Sequence, residues 1–419
     1  MHKKLIMLAV AGVFSAPLLA SAAEGSNVKL FGRVQAEYSS TKIDVIGTSA
    51  NNYRQEVISD NGGQSRWGID VSEDLSNGLS ANARIEFGFR TGTGVAENAR
   101  EQWVGLASKN WGEFKFGRVQ SPLKDFVGGA MIDPFFDSNL QAVGAGGAMY
   151  GPNNGFGSSG FIDHALRYNS PDFSGFTASV VYVPSDATQA EPSAGGAGGA
   201  GGRGGANDYQ IALKYKIGSV GEVFGAYSKD NASDTQRAVV ASAATNFRTA
   251  EDESVWRIGG SVSFGDFRLV GQYEDVSNAL SNGGALCGGG ASANGGGDAG
   301  ISTSQCNSSI NTNGDGHIWF LGAHYKLGKT TLVVQGGKTT ADQVTNPTTG
   351  AVTANERTAK NITLGAIYSF SKRTRVFGGY QKVSVDGAHI ADNTTATGTT
   401  VLSTQPDRST WSIGLRHDF

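Results

Sequence analysis

The stretch Val28-Lys29-Leu30-Phe31-Gly32-Arg33-Val34-Gln35-Ala36-Glu37-Tyr38 changes its chemistry at every second position. Leu30, Val34, Ala36 and Tyr38 fall on one face of an extended chain, and Lys29, Arg33, Gln35 and Glu37 fall on the other. Successive side chains of a strand point to opposite faces, so this pattern describes a strand with one apolar and one polar surface. The period recurs along the chain. In Leu79 to Phe89, Ala81, Ala83, Ile85, Phe87 and Phe89 oppose Ser80, Asn82, Arg84 and Glu86. Tyr209, Ile211, Leu213, Tyr215 and Ile217 oppose Gln210, Ala212, Lys214 and Lys216. Trp411, Ile413, Leu415, His417 and Phe419 oppose Ser412, Gly414, Arg416 and Asp418. Such segments run about nine to eleven residues, longer than soluble strands and matched to a tilted strand crossing a bilayer.

Composition narrows the class. The chain has 419 residues, 39% of them hydrophobic and 17% charged, and its mean hydropathy is −0.23. That is too polar for a bundle of membrane helices and low in apolar content for a soluble core of this length. Past the first twenty residues no apolar run reaches about 18 residues, the length of a spanning helix. Two cysteines exclude a disulfide-dense scaffold. A net charge of −3 argues against binding nucleic acid by bulk positive charge, so no nucleic-acid partner is expected. Residues 1–22 read as a secretory signal: His2, Lys3 and Lys4, an apolar run from Leu5, then the small-x-small site Ala20-Ser21-Ala22. The mature domain is therefore expected to be residues 23–419.

The connections alternate in length. Tight turns are expected near Asn77-Gly78, Asn110-Trp111, Ser174-Gly175, Gly218-Ser219, Gly265-Asp266, Gly328-Lys329 and Ser371-Lys372. Long segments lie between them, near 39–63, 91–98, 120–163, 185–206, 230–251, 277–314, 341–357 and 386–407. Roughly sixteen strands with short turns on one side and long loops on the other predict an all-β, antiparallel transmembrane β-barrel of the outer-membrane kind. Closure satisfies every strand edge, which lipid would leave unpaired. The polar faces are then expected to line water rather than a packed core. Of the 61 glycines, those in Gly195 to Gly205 and Gly288 to Gly297 read as loop spacers, and Gly32, Gly68, Gly88 and Gly105 as bends in the wall.

Val28 to Arg33, Ser65-Arg66-Trp67-Gly68, Ser72 to Leu79, Val104-Gly105-Leu106, Gly112 to Arg118, Leu166 to Pro171 and the terminal Gly414 to Phe419 follow one another in an order that resembles the Gram-negative general porins. The resemblance spans nearly the whole mature chain. It implies a sixteen-stranded barrel with a third loop folded inward, a homotrimer in the outer membrane of a Gram-negative bacterium, and a water-filled channel for passive diffusion of small hydrophilic solutes and ions. Outer-membrane lipid and lipopolysaccharide would surround it. The aromatic last residue, Phe419, resembles the signal read by the barrel-assembly machinery.

Segment 120–163 occupies the place of the constriction loop, and it carries Asp125, Asp133, Asp137 and, at its return, Asp163. By the resemblance, Arg66, Arg100 and Arg167 match the basic cluster on the facing wall. The alternation alone adds Arg33, Lys29 and Arg84 as inward cations. Positive groups on the wall facing carboxylates on the loop would set up a field across the pore, and width and charge there decide which ions pass. Arg118 alternates with Phe114 and Phe116 and is expected to face outward.

Cys287 and Cys306 share one Gly-rich loop, where a disulfide would stabilise by about 3 kcal/mol; free thiols are the alternative. The six histidines lack metal-ligand spacing, no G-x-S-x-G elbow occurs, and neither an enzyme, a metal nor a cofactor is expected. Two other roles remain open on the same barrel: a substrate-selective channel, and an adhesin that uses the long loops.

Overall fold

A computed structural model describes residues 26–44, 53–61, 64–143, 160–184, 207–231, 253–277, 315–345, 352–354, 356–386 and 407–419. Residues 1–22, expected from sequence to be a leader, both cysteines and the two glycine-rich loop stretches lie outside them.

The wall is one antiparallel sheet. Its strands are β1 (Ser26–Asp44), β2 (Tyr53–Ser59), β3 (Ser65–Asp74), β4 (Leu79–Arg90), β5 (Gly94–Ser108), β6 (Gly112–Gln120), β7 (Phe161–Asn169), β8 (Phe176–Val183), β9 (Asp208–Ile217) and β10 (Gly221–Asp230). They continue as β11 (Glu253–Phe264), β12 (Phe267–Ser277), β13 (Gly316–Leu327), β14 (Thr330–Ala341), β17 (Arg357–Ser369), β18 (Thr374–Asp386) and β19 (Asp407–Asp418). The short strands β15 (Val344–Thr345) and β16 (Val352–Ala354) pair only with each other, in a loop. β2 and β3 both pair with β1, over Ile43 to Glu37 and Arg33 to Ser26, and so form one wall strand interrupted between Ser59 and Ser65. The wall thus has sixteen strands.

β1 also pairs with β19, from Arg33↔Asp418 to Asp44↔Asp407, and this pairing closes the barrel. Closure reaches the last residue: Phe419 donates its N–H to the Gly32 carbonyl at 2.9 Å and accepts the Gly32 N–H at 3.1 Å. All seven short turns fall where the sequence places them, with positive φ at Asn77, Gly78, Ser174, Gly175, Gly218, Gly265 and Gly328.

The outside is apolar and the inside polar, the reverse of a soluble sandwich. Leu321 and Ile258 are 61% and 59% exposed on the outside, while Gln35 and Gln210 are fully buried within. Two aromatic groups mark the limits of the apolar band, as interfacial girdles do. Trp111, Phe114 and Tyr168 cluster near the short turns, as do Phe264, Phe267 and Tyr325. Tyr209 with Tyr227, Trp256 with Tyr273, and Tyr380 with Trp411 sit toward the loop side.

Three expectations change. Some strands run past nine to eleven residues; β1 has 19 and β5 has 15, which shortens the loops expected at 39–63 and 91–98. The interior is not wholly water. Leu123, Val127 and Ile132 of the inner loop pack against inward Phe224, Val255, Val270, Ile318 and Phe320. Phe135 and Leu140 pack against Val333, Ile367 and Phe377. These positions interrupt the polar inner face because a loop, not solvent, covers them. Finally, Gly68 is less a bend than a seat: a Cβ there would stand 2.6 Å from the Phe31 ring.

Candidate pore constriction

Residues 121–143 leave the wall at the end of β6 and run inside the barrel. Ser121 starts the segment by capping the helical turn Pro122–Asp125, its Oγ accepting the Leu123 N–H at 3.2 Å. The proline suits that first turn because the position needs no N–H donor. A loop buried in a lumen leaves backbone carbonyls that require donors, and wall side chains supply them in sequence around the barrel. Arg167 of β7 donates to the Gln120 carbonyl at 2.9 Å. Arg257 of β11 donates to the carbonyls of Leu123, at 2.5 Å, and Val127, at 3.1 Å. Arg268 of β12 reaches the Met131 carbonyl at 2.9 Å. Gln381 of β18 reaches Leu140 at 3.0 Å, Arg416 of β19 reaches Phe136 at 3.1 Å, and Gln35 of β1 reaches Asp137 at 2.6 Å.

The loop leaves open a cavity of about 260 Å³ against the wall formed by β18, β19, β1, β3 and β5. Six cations line it: Arg33, Arg66, Arg100, Lys124, Arg375 and Arg416. Three carboxylates line it: Asp125, Asp133 and Asp137. Asp137 lies 2.7 Å from Arg33 and 3.5 Å from Arg66. Arg66 also stands 3.7 Å from Glu86, which bonds Arg100. Burial works to raise the Asp137 carboxyl, but Arg66, Arg33, Arg416 and Lys124 outweigh it and hold it well below the usual carboxylate range. Burial lowers the Lys124 ammonium to about 7, with Arg100 and Arg66 adding to the effect and Asp137 and Asp125 opposing it.

The residues singled out from sequence divide. Arg33, Arg66, Arg100, Asp125, Asp133 and Asp137 come together at the cavity. Asp133 is also tied down, accepting from the backbone of Phe135, Ala142 and Val143 and from Gln335. Arg167 is away from the cavity and nearly buried, bound to Asp125 at 2.8 Å, so it anchors the loop. Arg84 lies nearer the short turns and is matched by Asp70 at 2.7 Å and Glu101 at 3.0 Å. Lys29 is exposed near the start of β1, opposite Asp70, and does not join the cluster. Asp163 does not join it either. The register shifts between Gly117 and Val119, where Gly117 takes φ +132°, and this leaves Asp163 exposed and ion-paired with Arg118.

Lys124, Arg375 and Arg416 were missed. Arg416 stands on the polar face of the last strand, so the alternation could have found it; Arg375 holds an equivalent position on β18. Lys124 carries no sequence signal, because its placement depends on the fold of the loop.

A closed sixteen-stranded barrel with an apolar exterior and a charged, partly plugged lumen defines a water-filled pore of the outer membrane. The chain belongs to the Gram-negative porin family, matching its description over residues 6–388. It is 25% identical over 366 residues to an outer membrane porin protein of Bordetella pertussis, covering 85% of this chain and 82% of that one. It is 28% identical over 297 residues to the major outer membrane protein P.IB of Neisseria sicca, covering 67% and 76%. Among solved structures, an anion-selective porin from Comamonas acidovorans shares the fold with a TM-score of 0.59 at 18% identity, over 94% of this chain and 100% of that one. OmpT of Vibrio cholerae, solved in a trimer form, does so with a TM-score of 0.54 at 14% identity, over 94% and 100%. The protein is an outer-membrane porin, a channel for passive diffusion of small hydrophilic solutes and ions.

Proposed function

We propose that this porin favours anions and that residues 121–143 form its selective constriction. The observation that carries this reading is the charge of the cavity lining, six cations against three carboxylates. Glu86, behind Arg66 and Arg100, offsets part of the excess. A net positive constriction with low-dielectric walls attracts anions and repels cations, and bulk salt screens it less than an open surface. Neutral polar solutes cross by size alone. Among the described residues that line the cavity, Phe136 is the one aromatic side chain beside six cations, which favours a general channel over one selective for a particular solute. Its activity is transport and not catalysis.

Reversal potentials of single channels in a salt gradient test the reading. The expected sign is that of a chloride-preferring pore, and a cation preference would overturn it. The relative solved in a trimer form favours a homotrimer for this chain too, with conductance steps in multiples of three. Phe419, paired with Gly32 at the seam, is proposed as the assembly signal.

A further inference from the structure

Phe161 is the first residue of β7, where the chain returns to the wall opposite Gln120. Its ring is almost fully buried, and three cations surround it. The Lys124 ammonium stands 3.9 Å from the ring centroid, the Arg100 guanidinium 4.9 Å, and the Arg118 guanidinium 5.3 Å. Arg100 is also paired with Glu86 and Arg118 with Asp163, whereas the carboxylates nearest Lys124 bind other partners. Asp125 is held by Arg167, and Asp137 by Arg33 with Arg66 beyond it. Among the described residues, Lys124 has no ion pair.

We propose that Phe161 is a positioning residue for ion selectivity, its ring face seating the Lys124 cation at the constriction where a carboxylate would cancel it. The inference rests on the anion preference proposed above. An aromatic face carries a negative quadrupole, so it attracts a cation without adding a charge of its own. An acid at residue 161 would hold Lys124 equally well but remove one positive charge from the lining. A ring holds the ammonium and leaves the net charge intact. The charges that face Lys124 are Arg100 from β5, Arg66 from β3, Asp125 and Asp137 from the loop, and Arg118 across the ring.

The test uses the full-length porin with Phe161→Leu, Phe161→Tyr and Lys124→Met variants. Reductive methylation followed by mass spectrometry across a pH series gives the titration midpoint of Lys124, and reversal potentials give selectivity. In Phe161→Leu the midpoint is expected to fall by about half a pH unit, because the cation–π attraction that favours the charged form is lost. At pH 7 its reversal potential should move toward that of Lys124→Met. Phe161→Tyr, which keeps the ring, should match the wild type in both. An unchanged or raised midpoint in Phe161→Leu overturns the proposal, as does a tyrosine variant that behaves like the leucine one. If the leucine barrel fails to fold, Phe161→Met makes the same comparison. A wild-type pore without anion preference sinks the functional reading, while the labelling midpoint still decides the role of Phe161.

Discussion

The Arg33 guanidinium meets the Asp137 carboxylate at 2.7 Å, joining the closing seam of the barrel to the loop inside it. The same side chain reaches Asp418, on the last strand, also at 2.7 Å. Barrel closure and loop docking therefore share one cation. Asp137→Asn should leave Arg33 in place through Asp418 while freeing positive charge at the cavity. The expected result is a rise in anion preference of roughly two- to fivefold, the effect of one charge at about 4 Å in a water-like medium. Reversal potentials would show it, and a fall in preference would contradict the geometry.

Arginines on the wall should separate into selectivity residues and anchors. Arg375 lines the cavity, and its Nε has no hydrogen-bond partner among the described residues. Arg167 holds Asp125, the Gln120 carbonyl, Asn169 and Ser179. Arg375→Gln is expected to reduce anion preference with steady open-channel current. Arg167→Gln is expected to add current noise and subconductance states by loosening the start of the loop. Quiet recordings from the Arg167 variant would remove it from the anchoring role.

Behind the loop, Arg257 and Glu274 form an ion pair with both side chains fully buried, at 2.5 Å. Removing one partner strands a buried charge, so Arg257→Met should cost about 3–5 kcal/mol. Arg257→Met with Glu274→Leu should recover the part due to the stranded carboxylate, but not the part due to the Leu123 and Val127 carbonyls, which lose their donor. Denaturant unfolding in detergent, followed by loss of heat-modifiable migration, measures both. Equal stability of the single and double variants would show that the pair is not coupled.

Selectivity should depend on pH through Lys124, whose ammonium titrates at about 7. Its charge is present below that value and lost above it. Anion preference is therefore expected to be greater at pH 6 than at pH 8. Asp137 contributes nothing to this step, because the surrounding cations keep it ionised throughout. Lys124→Met should abolish the step. A pH response that survives in that variant would assign it to another group.

The barrel was legible because its determinants are local and periodic. Alternation in Val28 to Tyr38 and in Trp411 to Phe419 follows from a strand that faces lipid on one side. Turns such as Asn77-Gly78 and Gly265-Asp266 were readable because tight reversals need positive φ. The cluster was legible in part. Arg33, Arg66 and Arg100 could be placed from strand faces and motif order, whereas Lys29 shows that a polar inner face does not fix height along the barrel. Asp163 was misplaced because a shifted register at Gly117 is invisible to a period of two.

Sequence by itself determined the closed wall and the sidedness of its strands, which follow from nearest-neighbour pairing and from water on one face with lipid on the other, while the resemblance to the porins pointed to the inserted loop. Tertiary structure alone decided which charges remain available. Arg84 and Arg167 are spent on Asp70, Glu101 and Asp125, whereas Arg375 and Lys124 stay at the cavity without an ion pair among the described residues. Those pairings join residues far apart in the chain, and charge acts through distance in space, so only the folded loop against the folded wall could sort anchors from the lining of the pore.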